Sequence, residues 1–282
     1  TDKLRSHFGL DQHNMQVLRS RGVLVVEPDE GRLAGGDIGA GRLATPDRIV
    51  AMVEQLLGPH DMAGLRVVVT AGGTREPIDA VRVIANRSSG KQGYAIAAEA
   101  LGRGADVTIV STVELPVPIG AVVRSVETAA EMQAAMNELA PTADVVVMAA
   151  AVADFRPVDR AQGKLKKAAG PPQIVLEATP DILAALGAAK PAGQVLVGFA
   201  AETSDLVANA EAKLRRKNLD LIVANDVSAP GVGFQHDTNA VTLLCAGGDA
   251  TTIELSDKRQ VARAVLDSVC VIRNSPRGAS PS

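Results

Sequence analysis

From Leu65 onward the chain repeats one rhythm: a short run of Val, Ile, Leu and Ala, then a glycine or polar loop, then a helix-patterned segment. "LRVVVTAGG", "DVTIVS", "ADVVVMAAAVADF", "QVLVGFA" and "LDLIVAND" are short and almost wholly apolar, as expected of strands buried on both faces. Between them "GYAIAAEALGRGA", "TAAEMQAAMNELA" and "SDLVANAEAKLRRKN" carry helical spacing, and Thr128 stands where it can cap the second. "TPDILAALGA" starts a further helix, and "AVVRSV" and "QIVLEA" read as shorter strands. The alternation predicts an α/β fold: a doubly wound, Rossmann-like, mostly parallel sheet with helices on both faces. Its core must be built from small aliphatic side chains, because aromatics make up 2% of the 282 residues and tryptophan is absent.

Near the C-terminus "NAVTLLCAGGDATTIEL" reads as a hairpin, an antiparallel addition to that sheet, and "SDKRQVARAVLDSVCVI" as a final helix. Residues 1–60 have a different texture. "MQVLRSRG" suggests a helix ending at Gly22 and "VLVVEP" a strand; a glycine-rich loop and the helix "PDRIVAMVEQLLG" follow. "GPHDMAG" has the composition of a linker. The expected division is therefore residues 1–60, a main domain over residues 61–272, and a disordered tail over residues 273–282.

A net charge of −3 with no long basic block argues against nucleic acid as a partner. Two isolated cysteines, Cys245 and Cys270, suggest neither a disulfide framework nor a zinc site. "TDKLRSHF" does not read as a signal peptide, and no apolar run approaches the ~20 residues of a membrane span. The expectation is a cytoplasmic protein without a membrane partner.

In a sheet of this kind ligands bind beyond the carboxyl ends of the strands. Four such ends carry unusual residues: "TAGGTREP", "MAAAVADF", "GFAAETSD" and "ANDV". Small residues there let a ligand lie against the backbone, although tight turns explain any one of them equally well. "ANRSSGKQG" resembles half of a nucleotide-binding loop, but Ala85 stands where a Walker A loop needs glycine and Gln92 where it needs Ser or Thr. What remains is a generic anion cradle at a helix start. "GKLKK" places Lys164, Lys166 and Lys167 in a loop after a strand end, which suits a polyphosphate and equally suits a solvated surface. Lys213 and Lys217, four apart, share a helix face. Asp154 could carry Mg²⁺ to a nucleotide, hydrogen-bond a base or ribose, or cap a turn. A dinucleotide-binding dehydrogenase would need GxGxxG after the first strand, which "TAGGTREP" does not supply; a non-catalytic nucleotide-binding module is a further alternative.

"TAGGTREPIDAVRVIANRSSGKQGYAIA", "AAAVADFRP", "KLKK", "GFAAET" and "RRKNLDLIVANDV" occur in that order. Together they resemble the phosphopantothenoylcysteine synthetase family, the ligases of coenzyme A biosynthesis. The resemblance implies that 4′-phosphopantothenate is activated by CTP to an acyl-cytidylate with release of pyrophosphate. Cysteine then displaces CMP. It also implies roles for individual residues. Asn86 matches a residue that processes the acyl-nucleotide, and Gly73, Ser88, Gly90 and Gly93 match positions that hold phosphopantothenate. Met148, Ala149 and Ala150 match backbone under the nucleotide base, and Asp154 its acidic ligand, with Mg²⁺ as the metal. Lys164 matches the first lysine of a KxKK signature needed for activation. Pro180, Asp181, Ile182, Leu183, Phe199, Lys213 and Lys217 match further CTP contacts, and Asn225 a substrate contact. A homodimer is implied, and a larger assembly where the ligase is fused to its decarboxylase partner.

Residues 1–60 resemble the C-terminal part of phosphopantothenoylcysteine decarboxylase, an FMN enzyme. "LAGGD" places Gly35 where that family carries cysteine in "LACGD", and the flavin-binding body would precede Thr1. FMN is therefore expected only for that missing body, and no CO₂ release from phosphopantothenoylcysteine is expected of this chain.

Overall fold

The computed structural model describes residues 10–32, 37–166, 172–202, 206–226 and 238–275. Gly35, Lys167 and the end of the expected tail lie outside the described residues. The chain divides into two units, Thr1–Leu57 and Gly58–Ser282.

In the first unit helix α1 (Leu10–Ser20) ends against Gly22, whose φ of 79° lets the Val23 N–H return to Leu18 O at 3.0 Å. Strands β1 (Asp29–Arg32) and β2 (Ile38–Arg42) form an antiparallel hairpin, followed by helix α2 (Pro46–Leu57) with proline at its first position. Asp29 accepts from the Thr45 N–H at 3.1 Å and pairs with Arg48, fixing the start of α2 against the hairpin. The strand expected over "VLVVEP" is not formed; the chain from 23 to 28 is irregular and pairing begins at Asp29. Val23 and Leu24 stay exposed, so that segment has no sheet partner and no buried face to specify a strand.

The second unit is built on one eight-stranded sheet. Its first strand in the chain is β3 (Arg66–Ala71), with β6 (Asp106–Ser111) and β7 (Val122–Ser125) outward on one side. On the other side β8 (Val145–Met148), β11 (Val195–Glu202) and β12 (Leu221–Asp226) follow, all parallel. An antiparallel hairpin of β13 (Thr238–Cys245) and β14 (Ala250–Asp257) completes that edge. Chain order therefore reverses between β3 and β8, the switch point of a doubly wound sheet.

Side-chain alternation divides the core by face. Val67, Val69, Val145, Val147, Leu221 and Val223 point to one face, covered by helix α3 (Lys91–Gly102) and the last helix. Val68, Val146, Leu196 and Ile222 point to the other. There they meet Met132 and Met136 of helix α4 (Ala129–Leu139), Leu186 of α5 (Ile182–Ala188) and Leu214 of α6 (Leu206–Arg216). Thr128 caps α4 with a reciprocal capping box through Glu131. The last helix, α7 (Lys258–Asn274), runs past the expected boundary at 272, so Arg273 and Asn274 are helical rather than part of a tail. Arg273 explains the extension: its guanidinium reaches Asp144 O at 3.3 Å and Gly193 O at 3.4 Å.

Two small ribbons differ from expectation. "QIVLEA" does not join the main sheet. Its strand β10 (Leu176–Ala178) pairs antiparallel with β9 (Phe155–Pro157), and all three of its residues are exposed. An apolar segment that buries nothing has no reason to enter a two-sided sheet. A hairpin of β4 (Arg75–Pro77) and β5 (Val83–Ala85), unanticipated in the sequence, follows β3. Among the described residues no helix is long and apolar enough to cross a membrane.

Candidate active site

A cleft of about 590 Å³ lies along the carboxyl ends of the parallel strands at the switch point, a size suited to small ligands. Its first wall is the segment from Asn86 into the first turn of α3. Gly90, just before the helix, has φ 74°, and a Cβ there would come 2.5 Å from a methyl of Val113. A Cβ on Gly93 would lie 2.8 Å from both Ala71 Cβ and Thr70 O. Both glycines thus let α3 start hard against β3. The outcome is a helix N-terminus opening into the cleft with Ser88, Ser89 and Gly90 beside it, favourable for an anion.

The floor is the chain after β8. Its pairing with the β3 side continues past both strands: the Ala151 N–H donates to Gly72 O at 2.8 Å. Two buried hydroxyls reinforce it, Thr70 Oγ1 accepting from Ala150 N–H at 3.0 Å and Thr74 Oγ1 from Ala153 N–H at 2.9 Å. Met148, Ala149 and Ala150 line the cleft along this segment. Asn86 Nδ2 donates to Val152 O at 3.0 Å and ties the first wall to this floor. Gly73 is not part of the lining. It backs Asn86, whose carbonyl oxygen would sit 2.5 Å from a Cβ at that position.

The third wall is the start of α5 with Pro180 to Leu183, joined by Phe199 of β11. Asp181 caps α5 through the Ala184 N–H at 3.0 Å and receives Lys217 Nζ at 2.9 Å. Burial raises the Asp181 carboxyl, but the Lys217 ammonium, the Ala184 N–H and the field of Arg216 outweigh it and hold the group below its ordinary value. Lys217 stands in the turn just after α6, not on the helix; Lys213, on its last turn, lines the same side. Gly187 permits this closeness, since a Cβ there would fall 1.9 Å from Lys217 O.

The sequence reading missed three polar residues at the far end of the cleft: Gln92, Asn239 and Lys258. Gln92 Nε2 donates to Lys258 O at 3.1 Å, and Asn239 precedes by two residues the Val241 that pairs with Asn225.

Asp154 lines the floor and is exposed. Among the described residues no group of three His, Cys, Asp or Glu side chains could hold a metal by itself. One carboxylate in an open cleft still fits Mg²⁺, which is commonly held by one or two carboxylates together with substrate phosphates and water. Lys164 is exposed and does not line the cleft. The next residue is clamped to the β4–β5 turn: Leu165 N–H donates to Asp79 Oδ2 at 3.1 Å, and Arg82 donates to Leu165 O at 3.0 Å. The Asp79 carboxylate is fully enclosed, and the Arg82 guanidinium with three backbone N–H groups holds it far below the usual carboxylate range despite burial.

The family described as DNA/pantothenate metabolism flavoprotein C-terminal domain matches residues 62–272. The coenzyme A biosynthesis bifunctional protein CoaBC of Mycobacterium tuberculosis is 46% identical over 273 residues, covering 91% of this chain and 65% of the relative. Its Escherichia coli counterpart is 45% identical over 263 residues, covering 92% of this chain and 64% of the relative. The chain thus spans slightly less than two thirds of these relatives' length. The crystal structure of the C-terminal domain of a CoaBC protein superposes with a TM-score of 0.65 at 39% identity, covering 76% of this chain and 97% of that domain. The α/β architecture, with its antiparallel strands at one edge, is shared with that domain.

Proposed function

The chain belongs to the DNA/pantothenate metabolism flavoprotein C-terminal domain family, and from that membership we propose that it is a ligase joining 4′-phosphopantothenate to L-cysteine at the expense of CTP. The observation that carries the reading is the composition of the cleft. A helix N-terminus suited to a phosphate stands on one side of the switch point and two lysines at the end of α6 on the other, with a run of mostly small residues, Ala149 to Ala153, between them.

The chemistry follows from a carboxylate's weakness as an acyl donor. The phosphopantothenate carboxylate attacks the α-phosphorus of CTP, a new P–O bond forms, and pyrophosphate leaves with the broken one. The cysteine amine then attacks the acyl carbon, CMP departs, and the amine proton passes to solvent. In this reading Ser88, Gly90 and Gly93 seat the 4′-phosphate at the start of α3. Met148, Ala149, Ala150 and Phe199 receive the base, and Pro180 to Leu183 shape its pocket. Lys213 and Lys217 offset triphosphate charge from one side, and Lys164 from its loop. Asn86 and Asn225 position the acyl group, with Gly73 supporting Asn86 from behind. Asp154 would hold Mg²⁺, which supplies charge neutralisation on the phosphates when bound.

Residues 1–60 are, on the same reading, the C-terminal segment of a flavin-dependent decarboxylase domain, and residues 61–272 the ligase domain. A cytoplasmic homodimer is the proposed form, checked by sedimentation of the purified chain. The test of function is direct. Incubation with 4′-phosphopantothenate, CTP, Mg²⁺ and cysteine should yield one CMP per phosphopantothenoylcysteine by mass spectrometry. Finding neither product would reject the ligase assignment.

A further inference from the structure

Lys164 is the loop cation that the ligase reading places over the triphosphate, yet it is exposed and stands outside the cleft lining. Its loop leaves the β9–β10 ribbon after Val158, whose N–H donates to Val175 O at 3.0 Å. Among the described residues, the hydrogen bonds of residues 159–166 all run to the β4–β5 turn. Ala161 N–H donates to Ile78 O at 3.1 Å, Leu165 N–H to Asp79 Oδ2 at 3.1 Å, and Arg82 Nη2 to Leu165 O at 3.0 Å. Lys164 thus lies between two attachment points, and the second is the next peptide. The turn is the fixed member of this contact. At the start of β4 Arg75 N–H donates to Glu127 O at 2.9 Å, and the buried Glu76 carboxylate accepts from the Ala129 N–H of α4 at 2.8 Å. Just past β5, Asn86 is tied to Val152 O. Within the turn Asp79 is 2% exposed. Its Oδ1 accepts from the Val81 and Arg82 N–H groups, each at 2.8 Å, and its Oδ2 from the Arg82 guanidinium as well as from Leu165. All of these partners are donors, so only an ionised, acceptor-only side chain satisfies them together.

We infer that Asp79 is a positioning residue for the activation step: by holding Leu165 it sets where the Lys164 ammonium can reach. The inference rests on the ligase reading and deepens it. Lysine carries its charge on a flexible four-carbon stem. A loop free between Val158 and Val175 would add backbone freedom to that of the stem. Activation needs the cation in place as the α-phosphorus is attacked and negative charge builds on the departing pyrophosphate. Pinning the neighbouring peptide removes that backbone freedom before the nucleotide arrives. Lys213 and Lys217 line the cleft without help from this brace, so nucleotide affinity does not depend on it. The brace therefore acts on rate.

The experiment pairs pyrophosphate release, with CTP and phosphopantothenate both saturating and no cysteine present, with hydrogen exchange of fragments covering residues 159–166. Asp79→Asn breaks the brace from the turn side. Leu165→Pro breaks it from the loop side, removing one N–H while Asp79 and Arg82 stay in place. Each variant should lower kcat about 10-fold or more, while KM for CTP stays within about 3-fold. In Asp79→Asn the Leu165 amide should exchange about 10-fold faster or more, with β3 and β8 as protected as in the parent. Should Asp79→Asn fail to fold, Leu165→Pro carries the test alone. Parental kcat in Leu165→Pro would overturn the role, as would a fall in kcat from Asp79→Asn without faster exchange in the loop. Faster exchange throughout β3 and β8 would overturn it too, by assigning Asp79 to the fold at large. No pyrophosphate from the unaltered protein overturns the ligase reading itself, and this role with it.

Discussion

Gly93 has no room for a side chain, because Ala71 Cβ and Thr70 O each stand 2.8 Å from where its Cβ would be. Gly93→Ala must push α3 off β3, at a cost of about 1–3 kcal/mol. That cost corresponds to roughly 2–4 °C in melting temperature per kcal/mol for a domain of this size. The helix start proposed to seat the phosphate moves with it, so KM for phosphopantothenate should rise together with the loss of stability. An unchanged melting temperature would show that the helix can yield without strain. At this scale the sequence was legible in kind but not in detail. Ser88, Gly90 and Asn225 could be placed by resemblance, and all three line the cleft. The lining residues Gln92 and Asn239 could not, because Asn239 stands beside a bulge and a bulge is invisible before pairing is known. The Lys217–Asp181 pair was equally hidden, since the two residues come together only through packing of α5 against the end of α6.

The β4–β5 turn illustrates what an element can do that its residues do not announce. Asp79 gathers N–H groups from Val81, Arg82 and Leu165, and through Leu165 it holds the chain that presents Lys164. Because its carboxyl is depressed in the folded state, it contributes stability that is fully present above the unfolded value near ~3.9. That contribution is lost as pH falls from there through the folded value. Denaturation of the parent and Asp79→Asn at pH 6 and again at pH 3 should therefore show a stability gap that narrows with acid. A gap independent of pH would mean that Asp79 is not the ionised anchor. This hairpin escaped sequence reading because "TREPIDAVRVIA" has no run long enough to signal a strand. The inner parallel strands were readable for the opposite reason, being continuous apolar runs buried on both faces. "QIVLEA" misled because its apolar residues look like those runs but stay in solvent.

Across the whole molecule one topological fact organises the rest: chain order reverses between β3 and β8, and the cleft lies at the carboxyl ends of the strands there. The two faces of the sheet then contribute different walls. α3 and the β12–β13 rim offer an anion seat and amide side chains, whereas α5 and α6 offer a capped turn and lysines. The proposed division of labour, phosphorylated acid on one side and nucleotide on the other, is the central claim. It requires that activation of the acid precede and be separable from capture of the amine. The decisive measurement is pyrophosphate release with phosphopantothenate and Mg²⁺, comparing CTP with ATP, before any cysteine is added. The account predicts release with CTP, far less with ATP, and none with CTP from Lys164→Gln. Pyrophosphate that appears only after cysteine is supplied, or not at all with CTP, would contradict it.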